Sequence, residues 1–254
     1  MITLGYGQHP AQRVEVRPGS RCVVALIHGG YWRAGHGLDL MDPLAEDLEE
    51  RGHEVWNVEY RRVDDPADPR PDAAGGGWPQ TYDDVLAALG HLARVRGVGL
   101  EEVVVVGHSV GGQLALLACG SLGMAGVVAL APVTDLVATA VEGLGGGAAR
   151  NFLGALPHDR PDAYAAGSPL RQVPLGRPQL LVHGDADQRV PLAHTERYAA
   201  EAVAAGDPVE LRVLPAVDHF EVIDPAAEHW PYVVAWIDAE SQAARVSSGS
   251  GRLG

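Results

Sequence analysis

Ser109 lies in the run EEVVVVGHSVGGQLALLACG, where an apolar stretch passes through Gly107, His108, Ser109, Val110 and Gly111 into a segment rich in alanine and leucine. A serine on a sharp turn between a strand and a helix has its hydroxyl lifted clear of the backbone, and flanking glycines relieve the clashes such a turn creates. The helix that follows aims its free N–H groups and the positive end of its dipole at the reaction centre. A serine hydroxyl is a weak nucleophile at neutral pH, so a base and a group to orient it must lie elsewhere in the chain. Downstream, QLLVHG runs into Asp185, Ala186 and Asp187, and VELRVLP runs into Ala216, Val217, Asp218 and His219. Ser109, Asp187 and His219 therefore stand in the order nucleophile, orienting acid, base, each after its own strand. Asp187 is preferred to Asp185 because it lies deeper in its loop, whereas Asp185 follows the strand at once and braces the turn. His183, His194 and His229 fall in a strand or on helical segments and read as structural or surface histidines.

Acyl transfer also needs donors for the charge that develops on the carbonyl oxygen. One is the N–H of Val110, the residue after the nucleophile. The others are expected from ALIHGGYWRAG, residues 25–35, an apolar run that ends in a histidine, two glycines and two large rings. Gly30 lets a peptide N–H reach the oxyanion unobstructed, so Gly30, Tyr31 and Val110 are the candidate oxyanion donors. His28, at the strand end, reads as a local brace. Tyr31 and Trp32 are candidate substrate-binding rings, with Trp32 equally readable as core.

Such a site needs a scaffold of strands ending on one rim. Residues 22–27, 54–60, 102–107, 126–132, 179–184 and 209–215 read as strands, most of them apolar throughout, as strands covered on both faces should be. Helical spacing appears in LDLMDPLAEDLEERG and QTYDDVLAALGHLARVRG, and further helices are expected at 110–121, 192–205 and 225–240. The alternation predicts an α/β fold, a twisted and mostly parallel sheet with helices on both faces, with 2–6 and 13–17 as a possible antiparallel edge. Residues 64–78, dense in proline and glycine, and 133–177, with only short helical pieces, read as segments covering the site. One domain over 1–240 is expected, with a small cap insertion at about 133–177 and a disordered tail over 241–254.

The 254 residues hold 19 basic and 33 acidic side chains, a formal charge of −14, and all the basic ones are arginine. That balance repels a phosphate backbone or an anionic membrane, so a small-molecule substrate is expected, with no nucleic-acid or membrane partner and an oligomeric state left open. The two cysteines, Cys22 and Cys119, sit in apolar surroundings, where a thiol behaves as a small hydrophobe; their count excludes a disulfide framework, and no cysteine and histidine spacing resembles a zinc site. No run approaches membrane-spanning length and the first residues do not resemble a secretion signal, so a cytoplasmic protein is expected. Gly143-Leu144-Gly145-Gly146-Gly147-Ala148 matches a dinucleotide fingerprint in letters alone, because no strand precedes it.

Taken in order, HGGYW, GHSVGG, HGDADQRVP and DHF resemble the α/β-hydrolase superfamily over roughly residues 13–240. His28-Gly29-Gly30-Tyr31-Trp32 is similar to the HGGxW signature of the arylformamidase (kynurenine formamidase) and related carboxylesterase group. The resemblance implies an α/β-hydrolase fold and hydrolysis of an aryl formamide or small carboxylic ester through an acyl-enzyme, with no metal or organic cofactor. Val110 stands where that group often has alanine and would narrow the acyl side of the pocket. Two other readings stay open: a catalytically silent hydrolase fold used for binding, and an esterase, lipase or peptidase of the same fold with a different substrate.

Overall fold

Alternate residues of each apolar run go to opposite faces of one sheet. The computed structural model describes residues 1–65, 68 and 70–250. Its strands are β1 (Ile2–Gly5), β2 (Arg13–Arg17), β3 (Val23–Ile27), β4 (Glu54–Val58), β5 (Val103–His108), β6 (Gly126–Leu130), β7 (Gln179–Gly184) and β8 (Val209–Leu214). They form one eight-stranded sheet in the order β1-β2-β4-β3-β5-β6-β7-β8. β1 and β2, and β2 and β4, pair antiparallel, and every other neighbour pairs parallel. The expected antiparallel edge is therefore present. Every residue of β3 to β7 is buried, which accounts for their mostly apolar character; the buried polar exceptions are Glu54 and Asn57 in β4, His108 in β5, and Gln179 and His183 in β7.

The helices are α1 (Asp42–Glu50), α2 (Gln80–Arg96), α3 (Val110–Leu122), α4 (Leu136–Val141), α5 (Leu144–Leu153), α6 (Pro161–Gly167), α7 (Leu192–Ala204) and α8 (Trp230–Ser250). On one face Val24, Leu26, Val104 and Val106 pack with Leu44 and Leu48 of α1 and with Trp230, Val233 and Ile237 of α8. On the other, Val23, Ala25, Val103 and Val105 pack with Leu89 of α2, Leu114 of α3 and Tyr198 of α7. A period of two along the strands thus feeds two separate cores, one per face.

Two expectations change here. Residues 241–250, expected as part of a disordered tail, continue α8, where Ser241 is fully buried; 251–254 lie outside the described residues. The last helix also begins at Trp230, later than expected, after a short turn at Glu221–Ile223. The 133–177 segment consists of α4, α5, α6 and a short turn, as its short helical pieces suggested. It lies beside the loop after β3: the Arg33 guanidinium donates to Gly145 O, and Trp78 N–H donates to Phe152 O at 2.9 Å. Among the described residues no helix is long and apolar enough to cross a membrane.

A close backbone approach beside the nucleophile turn is at the start of α3. A Cβ added to Gly111 would lie 2.2 Å from Ile27 O and 2.3 Å from His28 O, both main-chain atoms that cannot swing away. Glycine to alanine within a helix ordinarily stabilises by roughly 0.5–1 kcal/mol. At Gly111 the sign should invert: Gly111→Ala is expected to destabilise by about 1–3 kcal/mol or more through overpacking, read as a lower melting temperature with a loss of hydrolytic activity as the loop after β3 is displaced.

Candidate active site

Ser109 joins β5 to α3 with φ 57 and ψ −120, a conformation that costs an L-residue on the order of 1–3 kcal/mol. Main-chain bonds hold it there: Ser109 N–H donates to Leu130 O at 2.8 Å, and Val133 N–H donates to Ser109 O at 3.1 Å. Ser109 and His219 line one pocket of about 100 Å³, together with Gly30, Tyr31, Arg189 and Phe220. Larger hollows elsewhere on the surface contain neither residue. Among the described residues no hydrogen bond joins the Ser109 hydroxyl to the imidazole. In serine hydrolases that contact often tightens only when substrate binds.

The two aspartates after β7 divide as expected. Asp187 Oδ2 lies 2.6 Å from His219 Nδ1, whereas Asp185 Oδ1 accepts from Ala216 N–H at 2.6 Å and braces the turn after β8. The Asp187 carboxylate is itself over-determined. Its Oδ1 accepts from Arg189 N–H at 2.7 Å and Val190 N–H at 2.9 Å, and its Oδ2 also lies 3.1 Å from His183 Nε2. Burial alone would raise this carboxyl; the hydrogen bonds from His183 and His219, the His219 charge and the Val190 N–H outweigh it and hold the group well below the usual carboxylate range. An ionised Asp187 fixes His219 with Nδ1–H toward the acid and Nε2 toward the pocket, the tautomer a general base needs.

His183 is a site residue that sequence reasoning placed among structural histidines. Its ring is fully buried in β7, with Nδ1 2.8 Å from Thr195 Oγ1 and Nε2 3.0 Å from Val190 O. The available signal was its position four residues before Asp187. His108, given no role by the sequence, also touches the site: its Nε2 lies 2.9 Å from His219 O. Burial and the neighbouring His219 push the His108 ring down to about 3, so it stays neutral and its Nε2–H donates to that carbonyl. His194 pairs with Glu142 and His229 with Val222 O, outside the pocket, as expected of rivals.

The loop proposed to supply oxyanion donors is built from strained backbone. Gly30, Tyr31 and Trp32 have φ of 112, 52 and 56, a consecutive run with positive φ. A Cβ on Gly30 would lie 2.4 Å from His36 Cβ, which explains the bare backbone. The N–H groups of Gly30, Tyr31 and Val110 have no protein acceptor among the described residues. Tyr31 lines the pocket, and its hydroxyl donates to Arg189 O at 2.8 Å, tying this loop to the one that carries Asp187.

Trp32 corrects a sequence expectation. It is fully buried, stacks on Phe152 at 4.3 Å and donates from Nε1 to Gln113 Oε1 at 3.1 Å. Its indole anchors the strained loop in the core and lines no part of the pocket; Phe220, unassigned in the sequence, supplies the second ring there.

Behind the loop His28 braces as expected, through a network the sequence did not reveal. His28 Nδ1 lies 2.7 Å from Gly29 O and its Nε2 3.0 Å from Glu59 Oε1, while Tyr60 stacks on the ring at 4.2 Å. Arg62 also pairs with Glu59, at 2.9 Å. Burial would raise the Glu59 carboxyl; the His28 charge and hydrogen bond, the Arg62 charge and the Tyr60 N–H outweigh it and bring it down to about 2.

The sheet order, the serine at the β5–α3 turn and the acid and base after β7 and β8 define an α/β-hydrolase. The sequence model of the prolyl oligopeptidase family (Peptidase_S9) matches residues 78–240. The chain belongs to that family and is a hydrolase. The matched segment contains Ser109, Asp187 and His219 and begins downstream of the HGGYW loop. Among solved structures, the chain is similar to a truncated carbohydrate esterase from gut microbiota, with a TM-score of 0.77 at 15% identity, covering 95% of this chain and 97% of that one. It is also similar to esterase B from Lactobacillus Rhamnosis (TM-score 0.75, 20% identity, 97% and 87% covered). A third likeness is the HSL homolog EstE7 from a metagenome library (TM-score 0.70, 21% identity, 92% and 85% covered). At these identities the likeness establishes the fold.

Two outcomes test this geometry. Asp187→Asn, which keeps shape but favours the wrong imidazole tautomer, is expected to lower kcat by about 10⁴; Asp185→Asn should cost far less, and the reverse ranking in two equally folded variants would transfer the role. Glu59, with its folded carboxyl below the ordinary glutamate value of 4.5, contributes stability that is complete above about pH 4.5 and drains away as pH falls toward 2. Glu59→Gln should therefore lower the melting temperature at neutral pH and flatten its decline below pH 4.5; an unchanged acid limb would remove Glu59 from the account.

Proposed function

We propose that the chain is a serine hydrolase that cleaves a small-acyl aryl amide or ester, of arylformamidase or short-chain carboxylesterase type, through an acyl-enzyme. The observation that carries this reading is the closed Asp187–His219 pair opening on the same small pocket as Ser109. His219 Nε2 takes the Ser109 proton as Oγ attacks the carbonyl carbon. The N–H groups of Val110 and of Gly30 or Tyr31 receive the oxyanion. His219 then returns the proton to the departing amine or phenol, and water repeats the sequence to release the acid.

A pocket of about 100 Å³ suits a formyl or acetyl group and is too small for a long acyl chain. Tyr31 and Phe220 offer rings to a flat leaving group. The esterase names of the similar structures support an ester, whereas the formamide rests on the resemblance of residues 28–32 alone. Membership of a family named for peptidases favours one second reading, cleavage of a peptidyl amide.

A kcat/KM panel separates these: a formyl arylamide, acetyl and long-chain aryl esters, and an aminoacyl arylamide. The short-acyl aryl substrates should lead and the long-chain ester should trail. Ser109→Ala should abolish turnover and labelling by an active-serine phosphonate without changing the melting temperature. Retained labelling would displace Ser109, and a lead for the aminoacyl arylamide would make the chain a peptidase.

A further inference from the structure

Cys22, His53 and Asp238 meet at the rim of the sheet opposite Ser109. Cys22 directly precedes β3, His53 directly precedes β4, and Glu54 N–H donates to Cys22 O at 2.9 Å, which holds the two side by side. Asp238, on α8, faces both. Its Oδ1 lies 3.4 Å from Cys22 Sγ and 3.9 Å from His53 Nε2, and the ligand atoms of all three residues lie within 4.8 Å of one another. His53 is 0% exposed, and neither of its ring nitrogens has a hydrogen-bond partner. Buried polar groups are almost always partnered, so an imidazole lacking both partners beside a thiol and a carboxylate points to a ligand.

We propose that Cys22, His53 and Asp238 form a binding site for a divalent transition metal, with Zn²⁺ the best fit. A set of one sulfur, one nitrogen and one oxygen suits zinc; magnesium and calcium take oxygen ligands. With metal–ligand lengths of about 2.0–2.3 Å, ligand atoms of a tetrahedral centre stand roughly 3.3–3.6 Å apart. The edges from Asp238 Oδ1, at 3.4 and 3.9 Å, are close to that spacing, and small side-chain rotations close the third. Arg21 holds the outer oxygen, Asp238 Oδ2, at 2.8 Å and so keeps Oδ1 turned inward, the part an outer-shell partner plays at a metal site. The buried Ser241 hydroxyl, on the next turn of α8 and beside the Cys22 thiol, can hold a water in the fourth position. On binding, the Cys22 thiol releases its proton to solvent; thiolate and carboxylate then balance the divalent charge.

No sequence spacing shows this site, because each ligand comes from a different element. The test uses the full chain without an affinity tag, stripped with a chelator and titrated with Co²⁺ and then Zn²⁺. One equivalent of Co²⁺ should bind with a thiolate-to-cobalt charge-transfer band that Zn²⁺ abolishes. The band reports Cys22, since Cys119, the other of the two cysteines, is buried in the opposite core. Cys22→Ser should lose the band, and Asp238→Asn, at a partly exposed position, should weaken binding by about tenfold or more, both with ester hydrolysis unchanged. Zn²⁺ should raise the melting temperature of the native chain and not of Asp238→Asn. Absence of the band in the native chain, or binding that Asp238→Asn leaves intact, would overturn the site; should Cys22→Ser fail to fold, the Asp238 variant decides.

Discussion

Gly111 brings the first turn of α3 against the carbonyls of Ile27 and His28, closer than any side chain would permit. That contact fixes two things together. It sets the bend at Ser109, and it puts the end of β5 in register with the end of β3, where Ile27 pairs with Gly107. The strain in Ser109 and in the run Gly30, Tyr31, Trp32 is tolerable because its surroundings allow no alternative. Trp32 is stapled to α3 through Gln113, whose amide also donates to Gly167 O at 2.8 Å. The loop after β3 is therefore rooted in the core and in α3, the helix that follows Ser109.

Two buried carboxylates complete the rim, and they do different work. Asp187 faces neutralising donors on both sides, with His219 on the pocket side and His183 on the core side. The second histidine keeps the carboxylate from rotating when its bond to His219 is stretched. Glu59 lies behind the other loop and ties His28, Arg62 and the N–H of Tyr60 into one unit. Breaking either pair would leave an uncompensated buried charge, which is far more costly than the net contribution of the intact pair. The Tyr31–Arg189 hydrogen bond joins the two systems, so a shift in one loop is felt by the other.

The strands were legible because a strand buried on both faces admits few polar residues, each needing a partner, as His183 and Gln179 have in β7; β7 ends where its run ends, and most other boundaries fall within a residue or two. Ser109, Asp187 and His219 could be proposed from the sequence because each lies in the loop that follows its own strand, in the order nucleophile, acid, base. What stayed hidden depended on which way a side chain points. Trp32 could not be assigned from its neighbours, since a left-handed backbone at Tyr31 and Trp32 sends the indole inward, and no letter in HGGYW reveals that. His183 looked inert inside a strand, yet the loop of residues 185–190 folds back over it. The polar tail after 240 resembles a frayed end by composition, while Ser241 and the apolar face of α8 hold the helix to the core.

The two ends of β3 now have separate duties. His28 follows its last residue and belongs to the hydrolytic rim; Cys22 precedes its first and belongs to the thiol, imidazole and carboxylate cluster. At about 3.3 Å per residue the strand keeps them well over 10 Å apart, and every residue between is packed on both faces. A ligand that binds the native chain at the far rim would stabilise it by mass action whatever happens at Ser109. Coupling two such separated sites would need an element with two discrete arrangements that both bias, so with the two sites at opposite ends of one buried strand, stabilisation and catalysis are expected to vary independently.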